Sequence, residues 1–333
     1  MFLYCADPLH PRRVDPHFAA EAATVRDLGG TVALLDHDAL LAGDPATATG
    51  RVPRDRGPLW YRGWMIPTPH YAALATALAA RGATLRTSPD MYRAAHELPG
   101  WYDAFAEVTP ASAWLPWSPG VPVAPGDVAA LAAGLPAGPG LVKDYVKSRK
   151  HEWATACHIP DLADTAAAHR VVSRFVELQD TDLAGGLVLR AFEDLRGPAG
   201  RRPAPGGDGP GHRHAGDVTG PDPGTGGPHD PGDADASPRG SGRRPAEARV
   251  WWLDGAPVLT GPHPDTPDQP VTPDLSAVGP LVAAFDARFV TTDLAQRADG
   301  AWRLIEVGDA QVSDLPAGVD PAPLIAALLG ARP

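Results

Sequence analysis

Apolar and polar positions along the first hundred residues fall into short runs that alternate between two periods. Residues 2–5 form an unbroken apolar run, as a buried strand does, and residues 16–28 carry helical spacing that stops at Gly29-Gly30. Residues 31–35 read as a second strand and 58–65 as a third that ends in a turn. Residues 71–81 form an Ala/Leu-rich helix stopped by Gly82, and 83–87 a fourth strand. Strands alternating with helices predict a parallel sheet with helices on its faces, here over residues 1–115. Ligands of such sheets sit beyond the carboxyl ends of the strands. Tyr61-Arg62-Gly63-Trp64 lies at one such end. Its guanidinium either grips a carboxylate or phosphate or packs on Trp64 for structure.

The pattern changes after residue 124. A short helix is predicted over 127–133, and a strand over 140–146 with Lys143 near its middle. The basic run Lys147-Ser148-Arg149-Lys150-His151 follows. Residues 165–180 have helical periodicity, with Val171, Val172, Phe175, Val176 and Leu178 apolar, and 187–192 read as a strand. Strand-like sequence resumes at 249–253. The strongest local signal comes last: apolar strands over 288–295 and 301–307, separated by Asp299-Gly300, predict a hairpin.

From 196 to 246 nearly half the residues are Gly or Pro, and Val218 is the only large aliphatic one. Such a segment buries too little apolar surface to offset its ordering entropy, so it is expected to be a disordered insertion within a domain. Loop-closure entropy grows slowly enough with length to tolerate it. His212, His214 and His229 lie there at irregular spacing with no Cys beside them, so a solvated linker is expected rather than a metal tract.

Composition narrows the classes. A 333-residue chain that is 44% hydrophobic has room for about two domains with a sizeable core. A net charge of −11 argues against a general nucleic-acid binder. Cys5 and Cys157 are too few for a disulfide framework or zinc spacing. No run approaches the roughly 18 apolar residues of a membrane helix. The first residues read as a strand rather than a signal peptide. A cytoplasmic protein with no membrane or nucleic-acid partner is expected.

The hairpin carries Asp293 on one strand and Glu306 on the other, with Asp309 just beyond. Three carboxylates brought together repel one another unless a cation joins them, and oxygen-only ligands favour Mg²⁺ or Mn²⁺. A surface hairpin with solvated acids is the alternative. Lys143, Arg190 and Arg249 each interrupt an apolar strand, and Lys147 and Ser148 lie in a loop able to fold over phosphates. Single cations of this kind snorkel or pair with Glu177 or Glu193. Several in one region, opposite an acidic hairpin, point to a metal–polyphosphate site.

In this order of elements the chain resembles the ATP-grasp superfamily over residues 121–333, and residues 1–115 are similar to the α/β domain that usually precedes it. More narrowly, Lys143-Asp144-Tyr145-Val146-Lys147-Ser148, Glu247-Ala248-Arg249 and residues 306–313 resemble a bacterial clade with an Arg-and-two-Lys signature. The resemblance implies a two-lobed fold closing on ATP with Mg²⁺ or Mn²⁺. Residues 141–143 look like its lysine strand and 187–193 like its adenine hinge, which brings in Arg190 and Glu193. By the same resemblance Glu247 takes the ribose, and Asp293 and Glu306 are the metal acids. Two features depart from the family pattern. The Gly-rich phosphate loop is replaced by the basic run, and the usual metal-ligand Asn is Gly308, with Asp309 next.

The implied activity is a carboxylate–amine or carboxylate–thiol ligase acting through an acyl phosphate, with an amino acid, small peptide or protein tail among the candidate substrates. Lys143, Lys147 and Ser148 would steady the polyphosphate, while Arg249, with Lys147, would act on the transferred phosphoryl group. A phosphotransferase and a non-catalytic ATP-binding protein are the alternatives on the same fold.

Overall fold

The computed structural model describes residues 1–195, 245–316 and 318–331. Nearly all of the insertion expected over 196–246 lies outside the described residues.

Strand β1 (Phe2–Cys5) is buried along its whole length. It is the centre of a three-stranded parallel sheet, between β2 (Val32–Leu35) and β3 (Trp60–Arg62). A central parallel strand meets packing on both faces, which is why it reads as an unbroken apolar run. The helix expected over 16–28 forms as a short turn, Pro16–Phe18, and then an α-helix, Ala19–Asp27. The fourth strand expected over 83–87 is not formed, since one bridge, Leu59 with Leu85, is all that joins it to the sheet. Ser88 caps a new helix, Pro89–His96, with its hydroxyl on Met91 N–H. The proline at the first helical position favours that turn away from the sheet edge.

The second sheet is antiparallel. Strands β4 (Ser112–Pro116), β5 (Gly140–Asp144), β6 (His158–Ile159) and β7 (Gly186–Ala191) lie in the order β4-β7-β5-β6. Helices Pro125–Ala133 and Thr165–Gln179 cover one face, burying Val128, Leu131, Val172 and Phe175 against Val142, Leu187 and Leu189. On β5, Val142 therefore enters that core, and its neighbour Lys143 faces the other way.

The third sheet, also antiparallel, has the order β11-β10-β8-β9, from β8 (Glu247–Leu253), β9 (Ala256–Pro262), β10 (Phe289–Gln296) and β11 (Trp302–Asp309). Asp254 and Gly255 both take positive φ, 48° and 77°, as a tight two-residue hairpin demands. The expected Asp299-Gly300 turn forms as well, with Asp299 accepting Ala301 N–H and Gly300 at φ 89°. Strand β8 is buried on both faces. Val250 and Trp252 join a core with helices Leu98–Phe105 and Gly279–Phe285, whereas Trp251 and Leu253 join the core of the N-terminal sheet.

That N-terminal core also takes in the far end of the chain. Leu324, Ile325 and Leu328, on helix Ala322–Gly330, pack within it, and Trp60 Nε1 donates to Leu328 O at 2.9 Å. The architecture is the expected mixed α/β one, a parallel sheet followed by two antiparallel lobes. No helix among the described residues is long and apolar enough to cross a membrane.

Candidate active site

The ladder of the third sheet sets Glu306 opposite Asp293 and Asp293 opposite Arg249. Residues paired across an antiparallel ladder point to one face, so two acids and a guanidinium from three strands form a single row. Arg249 Nε and Nη2 donate to Asp293 Oδ1 and Oδ2 at 2.8 and 2.9 Å, and Nη1 makes a longer contact, 3.4 Å, to Asp314 O. The ion pair between Arg249 and Glu247 that their spacing also allows is not formed. Burial opposes ionisation of Asp293, but Arg249 outweighs it and holds the carboxyl well below the usual range.

Lys143 reaches this row from the second sheet. Its Nζ lies 3.5 Å from Glu306 Oε1 and donates to Val146 O at 3.2 Å. The loop after it is fixed by Asp144. That carboxylate accepts Val146 N–H and Lys147 N–H on one oxygen, and Gln179 Nε2 and Ala184 N–H on the other. A buried carboxylate so fully engaged makes the loop's entry rigid while the following side chains stay free. Lys147, Ser148, Lys150 and His151 then line a cavity of about 460 Å³ that they share with Lys143, Arg249, Asp293 and Glu306. Burial disfavours the Lys150 ammonium, yet Glu247, Glu306, Asp265 and Asp293 together raise its pKa. Arg149 is turned away, gripped by Glu152 and by Leu178 O and Gln179 Oε1.

The other expected residues are placed differently. Glu247 lies two positions from Arg249 on the same face, raised by burial and opposed by Lys150. Arg190 is buried beneath β11, donating to Ile305 O and Thr109 Oγ1 at 2.7 and 2.6 Å, and burial lowers it to about 10. Glu193 takes Arg303 in a two-bond grip at 2.9 Å each. Neither Arg190 nor Glu193 lines the cavity. Asp309 borders the cavity, but its Oδ1 accepts Gln311 N–H and Nε2, its Oδ2 has no partner, and burial raises it to about 7. Strand alternation turns its side chain to the face opposite Glu306. Among the described residues, no three His, Cys, Asp or Glu side chains are gathered as a metal cage.

Arg62 meets neither of its two expectations. It grips Glu21 at 2.7 Å through both Nε and Nη2, and donates through Nη1 to Ala310 O and Ser313 O. It thereby holds the loop that follows Glu306 and Asp309. Sequence reasoning missed His263. It closes the cavity just after β9, with Nε2 3.3 Å from Asp293 Oδ2. Strand β9, with Pro257, Gly261 and Pro262, carries too little strand character to have marked the place.

A second cavity, about 740 Å³, lies against the first between the N-terminal domain and the loops near residues 147 and 182. Met65, His96, Val146, Lys147, Ser148 and His151 border both.

Known structures share this fold across nearly the whole chain. D-cycloserine synthetase DcsG aligns with a TM-score of 0.55 at 14% identity, covering 98% of each chain. The RimK domain ATP-grasp protein from Sphaerobacter thermophilus DSM 20745 gives 0.54 at 13%, again over 98% of both. The macrocyclase MdnC bound with precursor peptide MdnA, from Microcystis aeruginosa MRC, gives 0.51 at 11% over 98% of both. At such identities the likeness is one of fold. No curated protein matches the chain. Residues 132–328, more than half of the sequence, match the family model of the ATP-grasp domain in the Arg-and-two-Lys clade, family 3, and the chain belongs to that family.

Proposed function

We propose that this ATP-grasp protein is an ADP-forming ligase that joins a carboxylate to an amine or thiol. The observation that carries the reading is the row Glu306–Asp293–Arg249, set across one cavity from Lys143, Lys147 and Lys150. Each acid now has one cation as partner, Arg249 for Asp293 and Lys143 for Glu306. A divalent cation arriving with a polyphosphate would exchange all four partners at once, carboxylates to the metal and cations to phosphate oxygens. The donor set fits Mg²⁺ or Mn²⁺, which bind through one or two carboxylates and complete their shells with phosphates and water. Asp293 and Glu306 would hold the ion, and Asp309 is the candidate third ligand. Bound there, the ion supplies Lewis-acid stabilisation of charge developing on the transferred phosphoryl group.

The chain's own residues do the rest. Lys143, Lys147 and Ser148 bind and orient the phosphates, and Glu247 takes the ribose. Arg190 and Glu193 contribute by fixing β11 and residues 107–109 against the end of β7. Arg249 stabilises the phosphoryl oxygens in flight, because its charge is fixed beside them without reorganisation. A substrate carboxylate oxygen attacks the γ-phosphorus and the bond to the bridging oxygen breaks, releasing ADP. The amine or thiol then attacks the acyl carbon, loses its proton, and inorganic phosphate leaves. A free carboxylate lacks such a leaving group, which is the reason for the first step.

MdnC was solved with a precursor peptide, so peptides belong among the substrates to screen, beside amino acids. The test is ADP release from Mg-ATP over pools of carboxylates and amines, with mass detection of products. ADP release that needs both partners, with a condensed product, supports ligation. A stable phosphorylated product would make the protein a phosphotransferase. Nucleotide binding without turnover would make it a non-catalytic ATP-binding protein.

A further inference from the structure

His263 lies outside every role assigned above, yet it touches the most constrained carboxylate in the cavity. Its Nδ1 accepts the backbone N–H of Asp265 at 3.0 Å. An imidazole whose Nδ1 accepts carries its proton on Nε2. That Nε2 lies 3.3 Å from Asp293 Oδ2 and 2.9 Å from Arg249 Nη2, which itself donates to the same oxygen at 2.9 Å. Two donors therefore converge on one carboxylate oxygen, and at their own separation they oppose each other.

We infer that His263 is a positioning residue that holds Asp293 in place when Arg249 lets go; the inference rests on the assignment of Asp293 to a divalent cation. A guanidinium beside a bound dication is repelled and is drawn to the phosphoryl oxygens instead. The neutral imidazole is not repelled. It keeps Oδ2 by a single hydrogen bond and leaves Oδ1 for the ion. Imidazole–carboxylate contacts behind a metal ligand commonly set ligand orientation, and losing such a partner costs about 10–100-fold in metal affinity. His263 is itself held by Asp265 N–H and by the hydrogen bond from its own N–H to Glu247 O, 2.8 Å, so it is fixed independently of Arg249.

The test uses the full chain with Mn²⁺ and a non-hydrolysable ATP analogue, reading Mn²⁺ affinity by electron paramagnetic resonance. Analogue affinity in chelator serves as the control. His263→Asn keeps an acceptor near the Nδ1 position and deletes the Nε2 donor. His263→Gln places an amide donor near Nε2. The expected result is that His263→Asn weakens Mn²⁺ binding by about tenfold or more while metal-free analogue affinity holds, and that His263→Gln recovers most of the loss. Unchanged Mn²⁺ affinity in His263→Asn overturns the inference, as does equal weakening in both variants, which marks a structural histidine. If the wild-type chain binds no Mn²⁺ with the analogue, the cation assignment itself falls and takes this inference with it.

Discussion

Arg62 and Arg249 each grip one carboxylate through Nε and Nη2, the fork geometry that suits guanidinium to carboxylate. Around Arg62 nothing is left over. Glu21 also accepts Tyr4 O–H at 2.8 Å, Nη1 serves two carbonyls of the loop 310–313, and the arginine is 1% exposed. Around Arg249 the bonding stays incomplete, with Nη1 on a long contact, Nη2 crowded by His263, and a cavity beside them. The pair alone therefore says little about role. What separates glue from machinery is whether the remaining donors are committed and whether a ligand can reach them.

The largest effect expected from breaking this contrast is in Arg62→Met. It strands Glu21 in the interior, and removing one partner of a buried pair costs about 3–5 kcal/mol. Urea unfolding should show that loss, and show a clearly smaller one in Arg249→Met, where Asp293 keeps His263 and borders a cavity. Equal losses would erase the distinction. In turnover the order reverses. Arg249→Met should lower kcat by about 10²–10³-fold and spare the KM for ATP, as expected of a charge used chiefly in the transition state.

Glu306→Gln comes next, with kcat falling on the order of 10²-fold and the melting temperature close to wild type. Near-normal ADP release in this variant would make the hairpin acids structural.

Acid unfolding sharpens the comparison further. Burial by itself would raise Glu21, but Arg62 and Tyr4 outweigh it and leave its carboxyl below the ordinary value of 4.5. A depressed folded pKa gives stability that is complete above about 4.5 and drains as pH falls through the folded value. Wild type should therefore lose stability in acid below that pH, more steeply than Glu21→Gln does.

The smallest effect concerns Asp309, which has the opposite sign. Burial raises it from 3.8 to about 7, so its contribution is complete below about 4 and drains as pH rises through 7. Asp309→Asn should gain on wild type in unfolding midpoint between pH 5 and pH 8, and lower turnover less than Glu306→Gln. A turnover loss as large as that of Glu306→Gln would instead make Asp309 a full metal ligand.

Local pattern carried far into this molecule and then stopped for identifiable reasons. The acids of the hairpin were legible because an Asp-Gly turn sets the register and period-2 alternation sets the face, and the ladder does pair Asp293 with Glu306. Lys143 stood out as a charge in an apolar strand, and it faces that row. Arg190 and Arg249 looked alike in sequence for the same reason. Only the sheet across from each one separates them, one beneath β11 and the other on Asp293. Strand β4 ends in Pro116 and β9 contains Pro257 and Gly261; neither has the periodicity of a strand, so His263 had no frame to appear in. Residues 83–87 had the composition of a strand but no partner beyond one bridge.

The packing of helix Ala322–Gly330 against Trp60 and the first sheet has a consequence in time. Chains emerge from the ribosome at roughly 5–20 residues per second. About 230 residues separate Tyr92 from Ala322, so at that pace the first sheet waits roughly ten to fifty seconds before its last core residues exist. Through that interval the first hundred residues carry uncovered apolar surface, and a nascent chain in that state is a client for chaperones.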